Sequence, residues 1–182
     1  MKLISTVSSI LIIFFITLTN TSSFAKKAAV IMDYDTKEIL YQINADTPNY
    51  PASLTKMMTI YIVLDYLKKN KLTWQSKMLV SKTATTRSPS KLNLKEGTYI
   101  SVDDAIRALI IKSANDVATV VAEHISGTER DFAKLMNKYA KNLGMKHTTF
   151  KNASGLPNRA QMTTARDIAI LSHALIKNFP DQ

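Results

Sequence analysis

The sequence predicts an α+β fold in which an N-terminal two-stranded antiparallel hairpin is followed by helices. Two short apolar runs, residues 28–33 and 39–43, are separated by a polar, turn-like segment, which is typical of a hairpin. After residue 56, apolar side chains recur at helical spacing, and three segments begin with a capping pair. The chain has 182 residues, which is enough for one domain with a hydrophobic core.

Residues 1–25 have the pattern of a secretory signal peptide. Lys2 provides a positive start, residues 10–18 are nearly all apolar, and small residues precede the expected cut. An uncleaved anchor is the alternative, although the apolar run is short for a membrane span. We therefore expect an exported protein, in the periplasm or cell envelope, whose domain comprises residues 26–182.

The net charge of the sequence indicates which classes of molecule the protein could bind. The formal net charge is +10, and removal of residues 1–25 takes away only Lys2 and leaves +9. Such a surplus favours anionic partners: wall polymer, anionic lipid at a peripheral membrane contact, or nucleic acid. The simpler interpretation is a lysine-rich solvated surface, and export argues against nucleic acid. There is no cysteine, so the fold must depend on packing rather than disulfides.

A helix is predicted from Met57 to about Lys69, with Pro51 and Ser53 at its entry. Its apolar positions are Met57, Ile60, Tyr61, Leu64 and Leu67. Ser53 and Lys56 would be neighbours on one face, at the positive end of the helix dipole. A lysine can be the base for a serine when burial or positive potential lowers its pKa. The alternative is that Ser53 caps the helix and Lys56 is solvated.

The Ser-x-x-Lys spacing also occurs at Ser23 to Lys26 and at Ser88 to Lys91. The first pair spans the expected signal-peptide cut. The second lies in a polar stretch in which a proline disfavours helix at the preceding residue, Ser88. Only Ser53 lies at the start of an amphipathic helix, which makes it the candidate nucleophile.

Residues 72–97 show little periodicity apart from a short strand predicted at 78–80, and we interpret them as a surface excursion. Helices resume at capping boxes: Ser101 with Asp104 before 105–112, Thr128 with Asp131 before a helix that ends at Gly144, and Thr164 with Asp167 before 165–177. A further helix is predicted at 117–125, and 146–161 is predicted to be a loop.

Ser113 and Asn115 lie at a break between two apolar helices. Taken singly, each is best explained as a helix cap, because Ser and Asn compete with the backbone for hydrogen bonds. The functional interpretation is a hydroxyl that relays a proton and an amide that holds a substrate carbonyl. Ser-x-x-Lys followed farther along the chain by Ser-x-Asn is the motif order of penicillin-binding acyl-serine enzymes.

The similarity extends beyond these two motifs. It includes Ile31-Met32-Asp33 with Tyr41, residues 51–59, residues 109–116, Asn152-Ala153-Ser154-Gly155-Leu156-Pro157 and Thr163-Thr164-Ala165-Arg166-Asp167. Over nearly its whole mature length the chain resembles the low-molecular-mass D-alanyl-D-alanine carboxypeptidases. The resemblance implies part of a penicillin-binding, transpeptidase-like domain that removes the terminal D-alanine from peptidoglycan stem peptides through a serine acyl-enzyme. It also implies that β-lactams are trapped at the same serine and that no metal or other cofactor is needed.

The resemblance also implies a role for each motif residue. Ser53 would be the nucleophile and Lys56 its general base. Ser113 would pass a proton toward the leaving D-alanine nitrogen, and Asn115 would hold the peptide carbonyl of the substrate. The backbone N–H of Ser53 would be one donor to the oxyanion.

One family motif is missing from the sequence. Lys-Thr-Gly, expected on a strand beside the cleft, does not occur, and Lys82-Thr83-Ala84 comes too early and lacks the glycine. The remaining strands and a second, β-rich domain would also lie beyond Gln182. We therefore expect the N-terminal portion of such an enzyme, with impaired catalysis unless a complementing C-terminal fragment supplies the strand. The competing hypotheses are a non-catalytic peptidoglycan-binding or regulatory module and the inactive product of a broken gene.

Overall fold

The computed structural model describes residues 27–181, which form a mixed domain of helices and strands. The strands are β1 (Ala29–Met32), β2 (Ile39–Ile43), β3 (Lys77–Leu79) and β4 (Tyr99–Ser101). The helices are α1 (Thr55–Lys68), α2 (Lys82–Thr85), α3 (Val102–Arg107), α4 (Asn115–Ser126), α5 (Glu129–Leu143) and α6 (Ala165–Asn178). The predicted signal peptide and the Ser23 to Lys26 pair lie outside the described residues.

The predicted N-terminal hairpin is confirmed. β1 and β2 pair antiparallel, with Ala29 opposite Ile43 and Ile31 opposite Tyr41. The Asp33 side chain stabilises the turn by accepting hydrogen bonds from two backbone N–H groups, at 2.8 and 3.1 Å. One face of β1 packs on α6, whereas Ile31 and Tyr41 on the other face are 55% and 51% exposed.

Residues 72–97 are more ordered than the sequence analysis predicts. β3 lies within one residue of the predicted strand and pairs antiparallel with β4, so that Met78 is opposite Ile100. Met78, Val80 and Ala84 are all buried. The interpretation as a surface excursion is therefore wrong for residues 72–84, whereas none of residues 85–97 is buried. A strand of three residues is too short to show alternation, and its partner lies about 20 residues farther along the chain.

The three predicted capping residues form their N-caps. In each, the hydroxyl of the capping residue accepts the backbone N–H three residues later, in the pairs Ser101 with Asp104, Thr128 with Asp131 and Thr164 with Asp167. α5 ends at Gly144, whose φ of 85° is in the left-handed region that favours glycine. The predicted helix 105–112 differs from the observed structure. It begins at Val102 and passes after Arg107 into a wider π-type turn, Ala108–Lys112.

α4 is the central helix of the domain. Val117, Ala118, Val120 and Val121 have no appreciable exposure, and the helix contacts α1, α2, α3 and α5. Burial of an aliphatic side chain stabilises the fold by about 1.5–3 kcal/mol, so α4 is firmly anchored in the core. Its first residue, Asn115, is therefore held at a fixed position. None of the helices in residues 27–181 has the length and apolar character that crossing a membrane requires.

Candidate active site

Ser53 lies in a single 3₁₀ turn, Ala52–Leu54, that leads directly into α1. Its side chain is exposed and makes no hydrogen bond within residues 27–181. α1 has no side-chain cap at its start. The interpretation of Ser53 as a helix cap is therefore wrong, and its hydroxyl is available to a ligand.

Gly155 packs against the turn that carries Ser53. The turn begins with Ala52, whose φ of 45° is unusual for a residue with a side chain. Gly155 itself has a φ of 90°, and a Cβ on it would lie 1.8 Å from the carbonyl oxygen of Ala52. Only glycine leaves room for this contact. The loop around Gly155 thus supports the backbone immediately before Ser53.

Lys56 is buried in the first turn of α1, with 3% exposure. Its Nζ donates to Asn115 Oδ1 at 2.8 Å and to the Ser154 carbonyl at 2.6 Å. Burial lowers the pKa of Lys56 from 10.5 to about 8. A pKa near 8 leaves about one molecule in ten with a neutral amine at pH 7. The alternative of a solvated Lys56 is wrong. No hydrogen bond joins Lys56 to Ser53 among the described residues.

The lowered pKa of Lys56 predicts how acylation of Ser53 depends on pH. Because only the neutral amine can accept the hydroxyl proton, the rate should rise as pH increases through the pKa, with a midpoint near 8. The measurement is the rate of covalent labelling by a fluorescent penicillin between about pH 6 and 10, with stability checked at each pH. A rate that does not change over this range would show that Lys56 is not the titrating base.

Ser113 follows the π-type turn and has a left-handed backbone, with φ 55° and ψ 40°. Its Oγ is buried without a hydrogen-bond partner among the described residues. Ser113 is the C-cap residue of this turn through its backbone, but its side chain caps neither the turn nor the start of α4. π-type turns are often found at functional sites, and a buried hydroxyl without a partner is costly. Both observations favour a hydrogen bond between the Ser113 hydroxyl and a ligand.

Asn115 connects Lys56 to a neighbouring loop. Besides accepting from Lys56, its side chain donates through Nδ2 to the Ser88 carbonyl at 2.9 Å. Its backbone N–H donates to the Ser90 carbonyl at 2.7 Å. These contacts fix the amide and leave the second hydrogen of Nδ2 available to a substrate carbonyl. A capping role does not explain these contacts.

Residues 88–94, which include the Ser88 to Lys91 pair, hold Asn115 in place. Among the described residues, Lys91 Nζ donates to the backbone carbonyl of Thr85, at the end of α2, at 3.2 Å, which is consistent with its exclusion as a base. Asp116 is fully buried and accepts two backbone N–H groups of this segment, at 3.1 and 3.2 Å. Asp116 lies in the first turn of α4, where an acidic residue is common, so the sequence gives no separate indication of this contact.

The Ala153 loop, residues 152–155, is the second element that supports the site. Asn152 Oδ1 accepts from the backbone N–H of Gly155 at 2.7 Å, forming a side-chain-stabilised turn. The carbonyls of Ala153 and Ser154 point toward α1, where they accept from Thr59 Oγ1 at 2.7 Å and from Lys56. The sequence predicts a loop here but not its contact with the candidate base.

Lys82-Thr83-Ala84 lies in helix α2 rather than on a strand. Its interpretation as a coincidental match to the third motif therefore agrees with its secondary structure. Within residues 27–181, no group of His, Asp or Glu side chains is arranged to bind a metal ion.

The comparisons with known proteins identify the family. A family model described as D-alanyl-D-alanine carboxypeptidase matches residues 16–182. The chain belongs to the D-alanyl-D-alanine carboxypeptidase family. The carboxypeptidase DacF of Bacillus subtilis is 38% identical over 151 residues, which cover 83% of this chain and 39% of the relative. DacA of Haemophilus influenzae is 40% identical over 156 residues, covering 84% and 40%. The chain thus spans about 40% of the length of these carboxypeptidases.

Solved structures of family members have the same fold. The carboxypeptidase DacD from Francisella tularensis is 42% identical, with a TM-score of 0.83 over 85% of this chain and 37% of that chain. Penicillin-binding protein D2 from Listeria monocytogenes, in its ampicillin-bound form, is 35% identical, with a TM-score of 0.75 over 85% and 62%. The prediction of a transpeptidase-like fold is confirmed. The catalytic roles of Ser53, Lys56, Ser113 and Asn115 stay predictions.

Proposed function

We propose that this carboxypeptidase-family chain takes part in serine D-alanyl-D-alanine carboxypeptidase chemistry on peptidoglycan stem peptides. The observation that supports it best is the state of Lys56, a buried lysine with a pKa of about 8. It lies one helical turn after the exposed Ser53 and is bonded to Asn115. A structural lysine has no need of a lowered pKa, whereas a base that activates a serine does.

The hydrogen bonds of Lys56 are consistent with a neutral amine that acts as the general base for Ser53. A neutral amine has two N–H groups and one lone pair. Asn115 Oδ1 and the Ser154 carbonyl accept the two N–H groups. The lone pair is then available for the proton of Ser53. We expect Lys56 Nζ and Ser53 Oγ to come within hydrogen-bonding distance in the substrate complex, since catalytic hydrogen bonds are often long without substrate.

The proposed reaction proceeds through an acyl-enzyme. Ser53 Oγ attacks the carbonyl carbon of the penultimate D-alanine, its proton passes to Lys56, and the backbone N–H of Ser53 donates to the oxyanion. As the tetrahedral intermediate collapses, the C–N bond breaks and a proton passes through Ser113 to the leaving amine. Asn115 holds the peptide carbonyl of the substrate. Water then hydrolyses the ester and restores Ser53.

β-Lactams are proposed to acylate the same serine. Two similar structures support this proposal, because penicillin-binding protein D2 from Listeria monocytogenes is solved in ampicillin-bound and cefotaxime-bound forms. We also propose that residues 1–25 are a signal peptide and that the protein acts in the periplasm or cell envelope. The sequence pattern of residues 1–25 and the peptidoglycan substrate support this location.

A labelled penicillin tests the proposed function. We expect the 182-residue chain, or a fusion that supplies the third motif from a relative, to become covalently labelled. Mass spectrometry of the labelled peptide should place the adduct on Ser53 and not on Ser88, which starts the other Ser-x-x-Lys set in the described residues. An adduct on Ser88 would contradict the assignment. Binding to isolated peptidoglycan without labelling of either protein would favour the non-catalytic module.

A further inference from the structure

Glu129, the first residue of α5, joins the Ala153 loop to the centre of the domain. Its Oε1 accepts the backbone N–H of Ala153 at 3.1 Å. Its Oε2 forms an ion pair with Arg87, whose Nε donates to Thr119 Oγ1 on α4 at 2.9 Å. The side chains of Glu129 and Arg87 are only 15% and 26% exposed, so neither is an ordinary surface charge.

The same short stretch of loop holds Lys56. Glu129 binds the N–H of Ala153, while the carbonyls of Ala153 and Ser154 accept from Thr59 and Lys56. The loop is therefore fixed to α5 through its N–H side and to α1 through its carbonyl side. If it moved away from α5, the Ser154 carbonyl would move away from Lys56.

We propose that Glu129 is a positioning residue for Lys56, which it holds in place through the Ala153 loop, with Arg87 fixing the carboxylate. This proposal depends on the proposed function, in which Lys56 is the general base. A hydrogen bond to a carboxylate is roughly twice as strong as one between neutral groups. Without the carboxylate, the N–H of Ala153 would be buried with no partner, and opening of the loop would become easier.

The alternative is that Glu129 only stabilises α5, as an acidic residue in the first helical turn. Asp131 lies in the same turn and has that role as the partner of Thr128, and among the described residues its carboxylate bonds Thr128 and Lys134 and not the Ala153 loop. Asp131→Ala is therefore the matched control. It removes a carboxylate and a capping interaction from the same helix end and leaves the Ala153 loop in place.

The experiment measures the accessibility of Lys56 rather than turnover. Trace labelling with acetic anhydride, followed by mass spectrometry, gives the reactivity of Lys56 relative to the exposed Lys138 in the same molecule. Glu129→Ala should raise the relative reactivity of Lys56 by about 10- to 100-fold, the factor expected for loss of a hydrogen bond to a charged group. Asp131→Ala should leave it near the wild-type value. Glu129→Gln, which retains an acceptor oxygen but loses the charge, should give a clearly smaller rise than Glu129→Ala.

Unchanged reactivity in Glu129→Ala, or an equal rise in Asp131→Ala, would overturn the proposal. Equal rises in Glu129→Gln and Glu129→Ala would also overturn it, since the acceptor oxygen would then not matter. Penicillin labelling of the same samples separates the two proposals. Absence of labelling in the wild type counts against the function, whereas acetylation reports the position of Lys56 independently.

Hydrogen exchange in the unchanged protein supplies a second measurement in case Glu129→Ala does not fold. The N–H groups of Ala153 and Ala160 are both bonded to a side-chain oxygen, the latter to that of Asn158 at the surface. We expect Ala153 to exchange as slowly as the core of α5 and Ala160 to exchange rapidly. Exchange of Ala153 as fast as that of Ala160 would overturn the proposal.

Discussion

Lys56→Ala is expected to slow acylation of Ser53 by about 10²- to 10⁴-fold, the usual contribution of a general base. Among the described residues, Lys56 Nζ is the amine that joins α1 to both the Ala153 loop and Asn115, and the variant removes it. The measurement is the second-order rate constant for labelling by a fluorescent penicillin, on a fusion that supplies the third motif from a relative. Binding of penicillin before acylation should change much less, because the proton transfer occurs in the chemical step.

Lys91→Ala is the matched control for this prediction. Lys91 belongs to the other Ser-x-x-Lys set of the described residues, and its Nζ donates to the backbone carbonyl of Thr85 in α2 at 3.2 Å. Its replacement should leave acylation close to the wild-type rate, even though it also removes one positive charge. Comparable losses in the two variants would show that the choice between the two sets is wrong.

The sequence predicts the parts of this molecule whose cause is local. The N-terminal hairpin follows from two apolar runs and a polar turn, and each capping box is encoded within four residues. The motif residues Lys56 and Asn115 are predicted from spacing and resemblance, and the structure places them in contact, 2.8 Å apart. The resemblance implies that both residues belong to one site, but it does not predict their hydrogen bond, which joins side chains 59 residues apart in the chain.

The supporting loops could not be predicted in the same way. Residues 88–94 hold Asn115 largely through backbone groups, and backbone groups are present at every position of any sequence. The role of Glu129 depends on the distance between α5 and the Ala153 loop, which only the packed fold determines. From the sequence, Glu129 is an acidic residue in a first helical turn, for which the helix dipole is a sufficient explanation.

Gly155→Ala tests whether the packing of this loop positions Ser53. The added Cβ would lie 1.8 Å from the carbonyl oxygen of Ala52, so the turn before Ser53 has to move. Overpacking together with a left-handed alanine should destabilise the domain by about 2–5 kcal/mol. A displacement of about 1 Å at a reacting group costs on the order of 10²-fold in rate, so acylation should fall by a similar factor.

Gly144→Ala separates the steric effect at Gly155 from backbone strain. Gly144 has a φ of 85°, close to the 90° of Gly155, but a Cβ on it would meet nothing within 4 Å. The free energy of unfolding of Gly144→Ala should therefore fall only by the strain of a left-handed alanine, about 1–2 kcal/mol. Its acylation rate should equal that of the wild type. Thermal unfolding and penicillin labelling, measured on both variants below their unfolding temperatures, distinguish the two effects. If Gly155→Ala acylates as fast as Gly144→Ala, the contact with Ala52 does not set the position of the nucleophile.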